Sequence, residues 1–393
     1  MESRSKRKIA GIFILLLLAV LLVMLIVMAI QKAVVGRKVR AELDRMGREN
    51  IGQIATDVYN LCQISNDLLQ QKINGDLNVA RYVLDHYGAV RLMKETMTWM
   101  AVNQYTEEAR EVSLPKMSVG GRWLGQNTDL AVATPVVDDV KQLVGGTCTI
   151  FQRINAAGDM LRVATNVEEI DSTRAVGTYI PAVNPDGEPN PVIASILKGE
   201  TYRGRAYVVN AWYLTAYEPI RDEDQNIIGV LYVGVKQESV ESLRQGIMDI
   251  EVGPHGYVFV LGGKDDHKGH YIISQNGLRD GEDIWETRDA EGRLFVQSVV
   301  NKALQLEDGA LGFERYPWKN PGADETRMKI TAFTYFAPWD WVIGAGVYED
   351  YYYEPQNRTD AAFRRMQTWL LLSAIAVFIA GVIVMVGIIR KIL

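Results

Sequence analysis

Arginine and aromatic side chains on predicted strands are the residues of this 393-residue chain best suited to bind a ligand. Arginine offers a fork of donors that matches a carboxylate, and aromatic walls exclude water from such a pair. Between residues 153 and 217 the candidate ligand-binding residues are Arg153, Arg162, Arg205, Tyr207, Asn210, Trp212, Tyr213 and Tyr217. They predict a site for a small organic anion or zwitterion, of the carboxylate or amino-acid class. Arginines on a sheet surface and cross-strand aromatic pairs are the alternative explanation for each of them.

Side-chain alternation along a strand assigns these candidates to faces. The pairs expected on common faces are Arg205 with Tyr207, Asn210 with Trp212, and Tyr213 with Tyr217. The first two pairs are expected on opposite faces, provided that no bulge shifts the register.

A second, smaller group of candidates lies further along the chain. Tyr316 and Trp318 share one face of a predicted strand, and Lys329 lies on the next strand. Ligand binding and core packing are both open for these side chains.

Other kinds of chemistry find little support in the sequence. The segment KDDHKGH places His267 and His270 three residues apart, but it follows Gly262 and Gly263 between two strands, which favours a solvated turn over a metal site. Motifs for a serine nucleophile, a zinc peptidase or a phosphate-binding loop do not occur in the sequence. We therefore expect neither an enzyme nor a cofactor or metal, and the net charge of -6 argues against nucleic acid as a partner.

The candidates lie on a repeated pattern of strands. Residues 202–235 read as two long antiparallel strands around the turn RDEDQN, and residues 312–347 repeat the plan more weakly. Helical segments accompany each copy, which predicts an α+β fold of two similar modules with antiparallel sheets of about five strands. The two cysteines, Cys62 and Cys148, could form a bridge, but two buried free thiols are favoured.

Two apolar runs flank these modules. Residues 9–30 and 369–389 are each long enough to span a bilayer as a helix, and the first run lacks a signal-peptide cleavage site. Basic residues at the N-terminus and at Arg390 and Lys391 predict that both tails are cytoplasmic. The chain would then be a two-pass membrane protein with residues of about 31–368 outside the cytoplasm. The expected divisions are a cytoplasmic tail 1–8, a membrane helix 9–30, a long helix 31–89, a membrane-distal module 90–237, a membrane-proximal module 238–353, a connecting helix 354–368, a membrane helix 369–389 and a cytoplasmic stub 390–393.

The predicted long helix after the first membrane span carries a stripe of apolar residues, namely Leu43, Met46, Ile54, Val58, Leu61, Ile64 and Leu68. The stripe could pack on its own module or on a second copy, and we favour a homodimer. A break is expected near Asn74 and Gly75, and residues 92–109 are expected to be helical.

The runs GGTCTIFQRINAAGDMLRVATNV, RAVGTYIPA and YRGRAYVVNAWYLTAYEPIRDEDQNIIGVLYVGVK resemble the first half of double Cache sensor domains, in which a type 3 module is fused to a type 2 module. GYVFVLGG, LFVQSVVNKAL and the run from Lys329 to Tyr348 are similar to the type 2 half, although Ile273-Ser274-Gln275 stands where a His-Pro pair is expected. The resemblance implies PAS-like modules and an extracytoplasmic sensor of methyl-accepting chemotaxis receptors or related signalling proteins.

That resemblance leaves the output open. A membrane-anchored solute-binding protein without signalling output is the alternative function, and an extracytoplasmic enzyme is a weaker one. Because the chain ends four residues after Ile389, a cytoplasmic effector would belong to a longer chain or to a partner.

Overall fold

The structure is a computed structural model, and it describes residues 2–236, 241–264, 267–319 and 325–392. It divides into two compact units. The first module comprises Val58–Asp249 with Phe336–Trp341, and the second module comprises Met1–Asp57, Ile250–Tyr335 and Val342–Leu393.

Helix α1 (Glu2–Tyr87) is continuous, so the predicted break at Asn74 and Gly75 is wrong. Ile73 and Leu77 on either side of Gly75 are buried, at 0% and 1% exposure. This packing outweighs the cost of about 1 kcal/mol that glycine imposes inside a helix.

The first module is built on a nine-stranded sheet with the order β3-β2-β1-β6-β5-β4-β9-β8-β7. Its strands are β1 (Val90–Asn103), β2 (Ala109–Val119), β3 (Arg122–Trp123), β4 (Thr147–Arg153), β5 (Met160–Thr165), β6 (Thr178–Ile180), β7 (Tyr202–Val208), β8 (Ala211–Arg221) and β9 (Ile227–Lys236). β1 and β6 are parallel, and the other neighbours are antiparallel. The expected sheet of about five strands is therefore too small.

One of the unpredicted strands, β1, covers most of residues 92–109, so the prediction of a helix for this segment is wrong. β1 alternates along its second half, since Trp99 and Ala101 are buried whereas Met100 is 57% exposed. Its Leu, Met, Lys and Glu residues favour helices locally, but pairing with β2 and burial of one face determine the outcome.

Besides the part of α1 that begins at Val58, the described residues of the first module form three helices: α2 (Val137–Val144), α3 (Pro191–Leu197) and α4 (Glu241–Met248). α3 begins at Asn190, whose side chain accepts hydrogen bonds from the backbone amides of Val192 and Ile193. Its apolar face packs into a core that includes Phe151, Tyr217 and Tyr232.

The second module has a six-stranded sheet with the order β10-β11-β15-β14-β13, and β12 pairs with β11. Its elements are β10 (Glu251–Val252), β11 (Gly256–Gly262), β12 (Tyr271–Ile273), α5 (Phe295–Ala303), β13 (Gly312–Trp318), β14 (Arg327–Phe336), β15 (Trp341–Tyr348) and α6 (Glu349–Ile392). β13-β14-β15 has the same neighbour order as β7-β8-β9, as the sequence repeat predicts. The sequence pattern predicts strands over residues 327–336 and 341–348, and β14 and β15 have these bounds.

Two helices are long and apolar enough to cross a membrane, with candidate spans within Leu18–Tyr87 and Ala361–Val384. In both, large apolar side chains such as Leu22, Ile26, Leu372 and Ile383 are exposed. A soluble protein rarely leaves such a continuous apolar surface uncovered.

The turn between β2 and β3 requires glycine at position 120. Gly120 and Gly121 both have positive φ, 57° and 80°, but only at Gly120 would a Cβ atom overlap the carbonyl oxygen of Tyr87. We expect Gly120→Ala to lower the free energy of unfolding by about 2–4 kcal/mol, and Gly121→Ala by about 1–2 kcal/mol. Urea denaturation of both variants measures the difference, and equal losses would contradict the overlap.

Candidate functional site

Arg162, on β5, lies at the centre of the first module and is completely buried. Its Nη1 donates to Thr178 Oγ1 at 2.6 Å, and its Nη2 donates to Gln104 Oε1 at 2.9 Å. Nε is buried without an acceptor. Among the described residues, no carboxylate lies within 4 Å of this guanidinium. A buried cation thus has neutral partners only.

Aromatic side chains form the surroundings of Arg162. Its Cζ lies 5.0 Å from the ring centroid of Phe151, and the ring of Phe151 lies 6.1 Å from that of Tyr217. Tyr217 also contacts Tyr232 and Tyr202, with ring centroids 4.8 and 6.1 Å away. The hydroxyl of Tyr217 is buried and has no hydrogen-bond partner. Two unsatisfied donors, one charged and one neutral, therefore lie in one aromatic environment.

The electrostatics of this cluster follow from its burial. Desolvation lowers the pKa of Arg162, but a guanidinium remains charged at physiological pH. Burial raises the pKa of the Tyr217 hydroxyl, so this group is a neutral donor, and the charge of Arg162 opposes the shift. Burial also raises the pKa of Glu169, against the field of Arg162. The arrangement could accept a carboxylate at Nε and at the Tyr217 hydroxyl.

Arg205, Tyr207 and Trp212 lie together on the opposite face of the β7–β8 hairpin. The Arg205 guanidinium lies 3.7 Å from the ring centroid of Trp212, and the rings of Tyr207 and Trp212 are 5.6 Å apart. The expected separation of Trp212 from Arg205 is wrong, because Tyr207 and Trp212 are directly opposed partners in the register and so share a face. Arg205 also forms an ion pair with Asp340, at 3.8 Å.

The remaining predicted residues of the first module lie apart from this face. Arg153 donates to the carbonyls of Asn155 and Ala156 in its own turn. Asn210 is exposed in the turn between β7 and β8. Tyr213 is buried in the core on the face that carries Tyr217, as expected. The structure thus brings Arg162 and Tyr217 together and leaves Arg153 and Asn210 at the surface.

Sequence reasoning missed several residues of the cluster. Gln104 and Tyr105 follow β1, in the segment wrongly expected to be helical, and Tyr105 stacks on Tyr207 with ring centroids 6.0 Å apart. Phe151 lies on β4, next to the strand of Arg162, and Tyr232 lies on β9, next to β4. Their aromatic side chains on predicted strands were the signal that could have identified them.

Arg174 is a second buried arginine, but its charge is paired. It forms a bidentate ion pair with Asp138, at 2.9 and 2.8 Å, and donates to the carbonyls of Thr165 and Val132. This saturation marks a structural role for Arg174. Arg162 differs from Arg174, because its hydrogen-bond partners among the described residues are neutral.

In the second module, Lys329 and Tyr316 are directly opposed on β14 and β13, and both are buried. The Tyr316 hydroxyl lies 3.0 Å from Thr331 Oγ1, and Trp318 lies 5.0 Å from Phe295, measured between ring centroids. Tyr316, Trp318 and Phe295 border a cavity of about 10 Å³, room for about one water molecule. The predicted second group is thus gathered around one aromatic cluster.

No metal site is found in the described part of the chain, where no three His, Cys, Asp or Glu side chains are grouped. His267 and His270 lie in a turn in which the Gly269 amide donates to the Gly262 carbonyl. Asp265 and Asp266 lie outside the described residues. Cys62 and Cys148 are free and buried, which confirms the expectation of two thiols. Burial raises the pKa of the Cys62 thiol to about 12.

Comparison with known proteins identifies the family. The profile of the Cache 3/Cache 2 fusion domain matches residues 37–362, which is most of the chain. The chain belongs to the Cache 3/Cache 2 fusion domain family. This membership agrees with the mixed α+β fold, the long N-terminal helix and the two antiparallel sheets.

Curated relatives of this Cache chain include signalling proteins. The chain is 32% identical over 95 residues to the methyl-accepting chemotaxis protein McpP of Pseudomonas putida, covering 22% of this chain and 17% of McpP. It is 24% identical over 119 residues to the sensor histidine kinase MctS of Rhizobium johnstonii, covering 30% of this chain and 24% of MctS. The chain thus spans less than a quarter of the length of these relatives.

Among solved structures, the ligand-binding domain of the Campylobacter jejuni chemoreceptor Tlp3 in complex with L-valine is similar to this Cache chain. The identity is 11% and the TM-score is 0.39, and the match covers 80% of this chain and 98% of that domain.

Proposed function

We propose that this chain is the extracytoplasmic ligand-sensing and transmembrane signalling region of a bacterial chemoreceptor-type protein. Its family membership supports this proposal, as do the two apolar helices that flank the Cache region. The matched relatives, a chemotaxis protein and a sensor kinase, favour signalling over solute binding without output. The chain would act by binding rather than by catalysis.

The ligand site of this proposal is the Arg162 cluster, and the ligand is a small organic anion or zwitterion. The observation that carries it is the buried guanidinium without a carboxylate partner. Burying an unpaired charge costs several kcal/mol, whereas a carboxylate ligand would supply the missing counter-ion. One carboxylate oxygen would accept from Arg162 Nε and the other from the Tyr217 hydroxyl.

Substitution at Arg162 tests this site. Removing a guanidinium that pairs with a buried carboxylate costs about 2–5 kcal/mol, which is about 30-fold or more in Kd. We expect Arg162→Met to weaken binding by at least that factor, measured calorimetrically with small monocarboxylates and amino acids on the full chain in detergent. Tyr217→Phe, which removes only the unpaired hydroxyl, should weaken it about tenfold or more.

The matched control is Arg91→Met, because Arg91 is 65% exposed and pairs with Glu223 at the surface. This variant should bind as the unmodified chain does. Unchanged affinity in both Arg162→Met and Tyr217→Phe would remove the basis for a site at this cluster.

We propose further that both tails are cytoplasmic and that the Cache region lies outside, in a two-pass protein of the inner membrane. The turn at Asp186 and Gly187 is exposed, and Val183 and Pro189 pair at its base, so an insertion there leaves the sheet intact. A phosphatase that is active only outside the cytoplasm should be active when inserted between Asp186 and Gly187. The same reporter fused after Leu393 should be inactive, and the reverse pattern would contradict this orientation.

Homodimerisation through α1 is also proposed. The structure divides the predicted apolar stripe, since Val58 is buried within the first module whereas Leu61, Ile64 and Leu68 are 36%, 58% and 60% exposed. These three residues share one face at helical spacing. Such a row suits packing against the same row of a second copy.

Cysteine cross-linking tests that face. We expect Ile64→Cys to form a disulfide-linked dimer in membranes, while Asp67→Cys, which is exposed about a quarter turn from the centre of the row of Leu61, Ile64 and Leu68, should cross-link less. The native Cys62 and Cys148 are buried and should not react. Cross-linking at both positions to the same extent would indicate random collision.

A further inference from the structure

The two helices that are long and apolar enough to cross a membrane border a common groove of about 270 Å³. The parts of both helices that line it belong to the second module. Among its lining residues are Val20 and Met24 of α1 and Leu370, Ala374 and Phe378 of α6. Ser373 also lines it, but its hydroxyl already donates to the carbonyl of Leu370 at 2.9 Å. The described surface of the groove therefore suits an apolar occupant.

The depth of the groove in the bilayer limits what can fill it. Its residues lie inside the predicted spans 9–30 and 369–389, where the surrounding medium is lipid hydrocarbon. A methylene group takes up about as much space as a water molecule, about 30 Å³, so the groove holds about nine of them. That volume suits one acyl chain of a phospholipid.

Basic side chains lie beyond one end of the groove. Residues 31–41 of α1 include four basic and no acidic side chains, and residues 361–372 of α6 include two basic and no acidic side chains. Those nearest to the groove are Lys32, Arg364 and Arg365, which we call the basic group. Arg364 and Arg365 are exposed, and Lys32 is half-buried. Within the part of the chain that the structure describes, none of the three forms an ion pair.

The spacing along the helices places the basic group at the depth of lipid headgroups. α1 leads from the membrane into the module and α6 leads back, so the two helices are antiparallel. At 1.5 Å per residue, Lys32 lies about 12 Å beyond Met24, and Arg365 lies about 8 Å beyond Leu370 in the same direction. The distance along α1 from Lys32 to Val20 is about 18 Å, close to the depth of about 15 Å that the chains of one leaflet occupy.

We propose that α1 and α6 together bind one anionic phospholipid, in the leaflet from which the Cache region extends. Its phosphate lies against Lys32, Arg364 and Arg365, and one of its acyl chains fills the groove. Arginine offers donors that match phosphate oxygens, and each Lys or Arg near the membrane surface raises the affinity for an anionic lipid about fivefold. The site is independent of the Arg162 cluster and of the proposed sensing function.

A membrane helix of a second copy is the other apolar occupant available at this depth. A copy related by two-fold symmetry about the membrane normal would bring its own Lys32, Arg364 and Arg365 to the same level, where like charges repel. An anionic lipid instead supplies the opposite charge. The basic group therefore favours a lipid over a second copy in this groove.

Native mass spectrometry of the full chain in a neutral detergent at low salt tests the proposal. The probes are phosphatidylglycerol and phosphatidylcholine with identical acyl chains, because both contain a phosphate but choline cancels its charge in the second lipid. Three basic side chains that each contribute about fivefold should make the first phosphatidylglycerol bind on the order of 100-fold more tightly than the first phosphatidylcholine. Glycerol phosphate in excess should not displace the lipid, because it has no acyl chain for the groove.

Substitutions in the basic group give a second measurement. Arg364→Gln combined with Arg365→Gln should weaken binding of phosphatidylglycerol about 30-fold and should change binding of phosphatidylcholine little. The matched control is Arg45→Gln, because Arg45 pairs with Glu42 and Glu49 and lies further from the membrane along α1. This control should bind both lipids as the unmodified chain does.

Filling the groove gives a third measurement. Ala374→Phe places a ring among the lining residues and should weaken binding of both lipids about tenfold or more, because it displaces methylene groups of the acyl chain. Ala376→Phe makes the same change at an exposed position of α6 outside the described lining. It should leave both affinities unchanged.

Three results would overturn this lipid site: equal affinity for the two lipids, unweakened phosphatidylglycerol binding in the folded double variant, or equal losses in Ala374→Phe and Ala376→Phe. A complex of two chains that excludes lipid would also overturn it and would assign the groove to a second copy. If the double substitution prevents folding, Lys32→Gln decides the question, because it should weaken phosphatidylglycerol binding about fivefold and an unchanged affinity would contradict the site.

Discussion

The buried charge of Arg162 is the constraint on which the first module depends. Several kcal/mol oppose the burial of an ion in a protein interior, even when hydrogen bonds are available. The side chains that offset this cost come from separate parts of the sheet: Gln104 follows β1, Thr178 lies on β6, and Phe151 lies on β4. The parallel pairing of β1 and β6 therefore stabilises the buried guanidinium, because it brings its two hydrogen-bond acceptors, Gln104 and Thr178, close together.

Sequence patterns predicted those strands in which the residue preferences and the burial pattern indicate the same structure. β14 and β15 were placed with their observed bounds because they are long, rich in β-branched and aromatic residues, and separated by a turn containing Pro338 and Asp340. β1 failed because its helix-forming residues conflict with a burial pattern that only its neighbours explain. That single error removed Gln104 from the predicted site, since a helix would not place it beside β5.

The position of Trp212 shows a different limit. Counting by twos through residues 205–212 treats the chain as one strand, but Val209 has a φ of 59° and reverses its direction. Val208 and Ala211 then face each other across a two-residue turn, and Trp212 returns to the face of Tyr207. Side-chain faces on a hairpin follow from the turn length, which strand periodicity alone does not provide.

The buried cations Arg162 and Lys329 differ in whether they keep their charge. A guanidinium keeps its charge throughout the physiological range, so occupancy at Arg162 would follow the concentration of the anion alone. A buried ammonium titrates, and burial lowers the pKa of Lys329 to about 7. The charge buried in the first module therefore persists at every physiological pH, whereas the charge buried in the second module is lost as the pH rises above neutral.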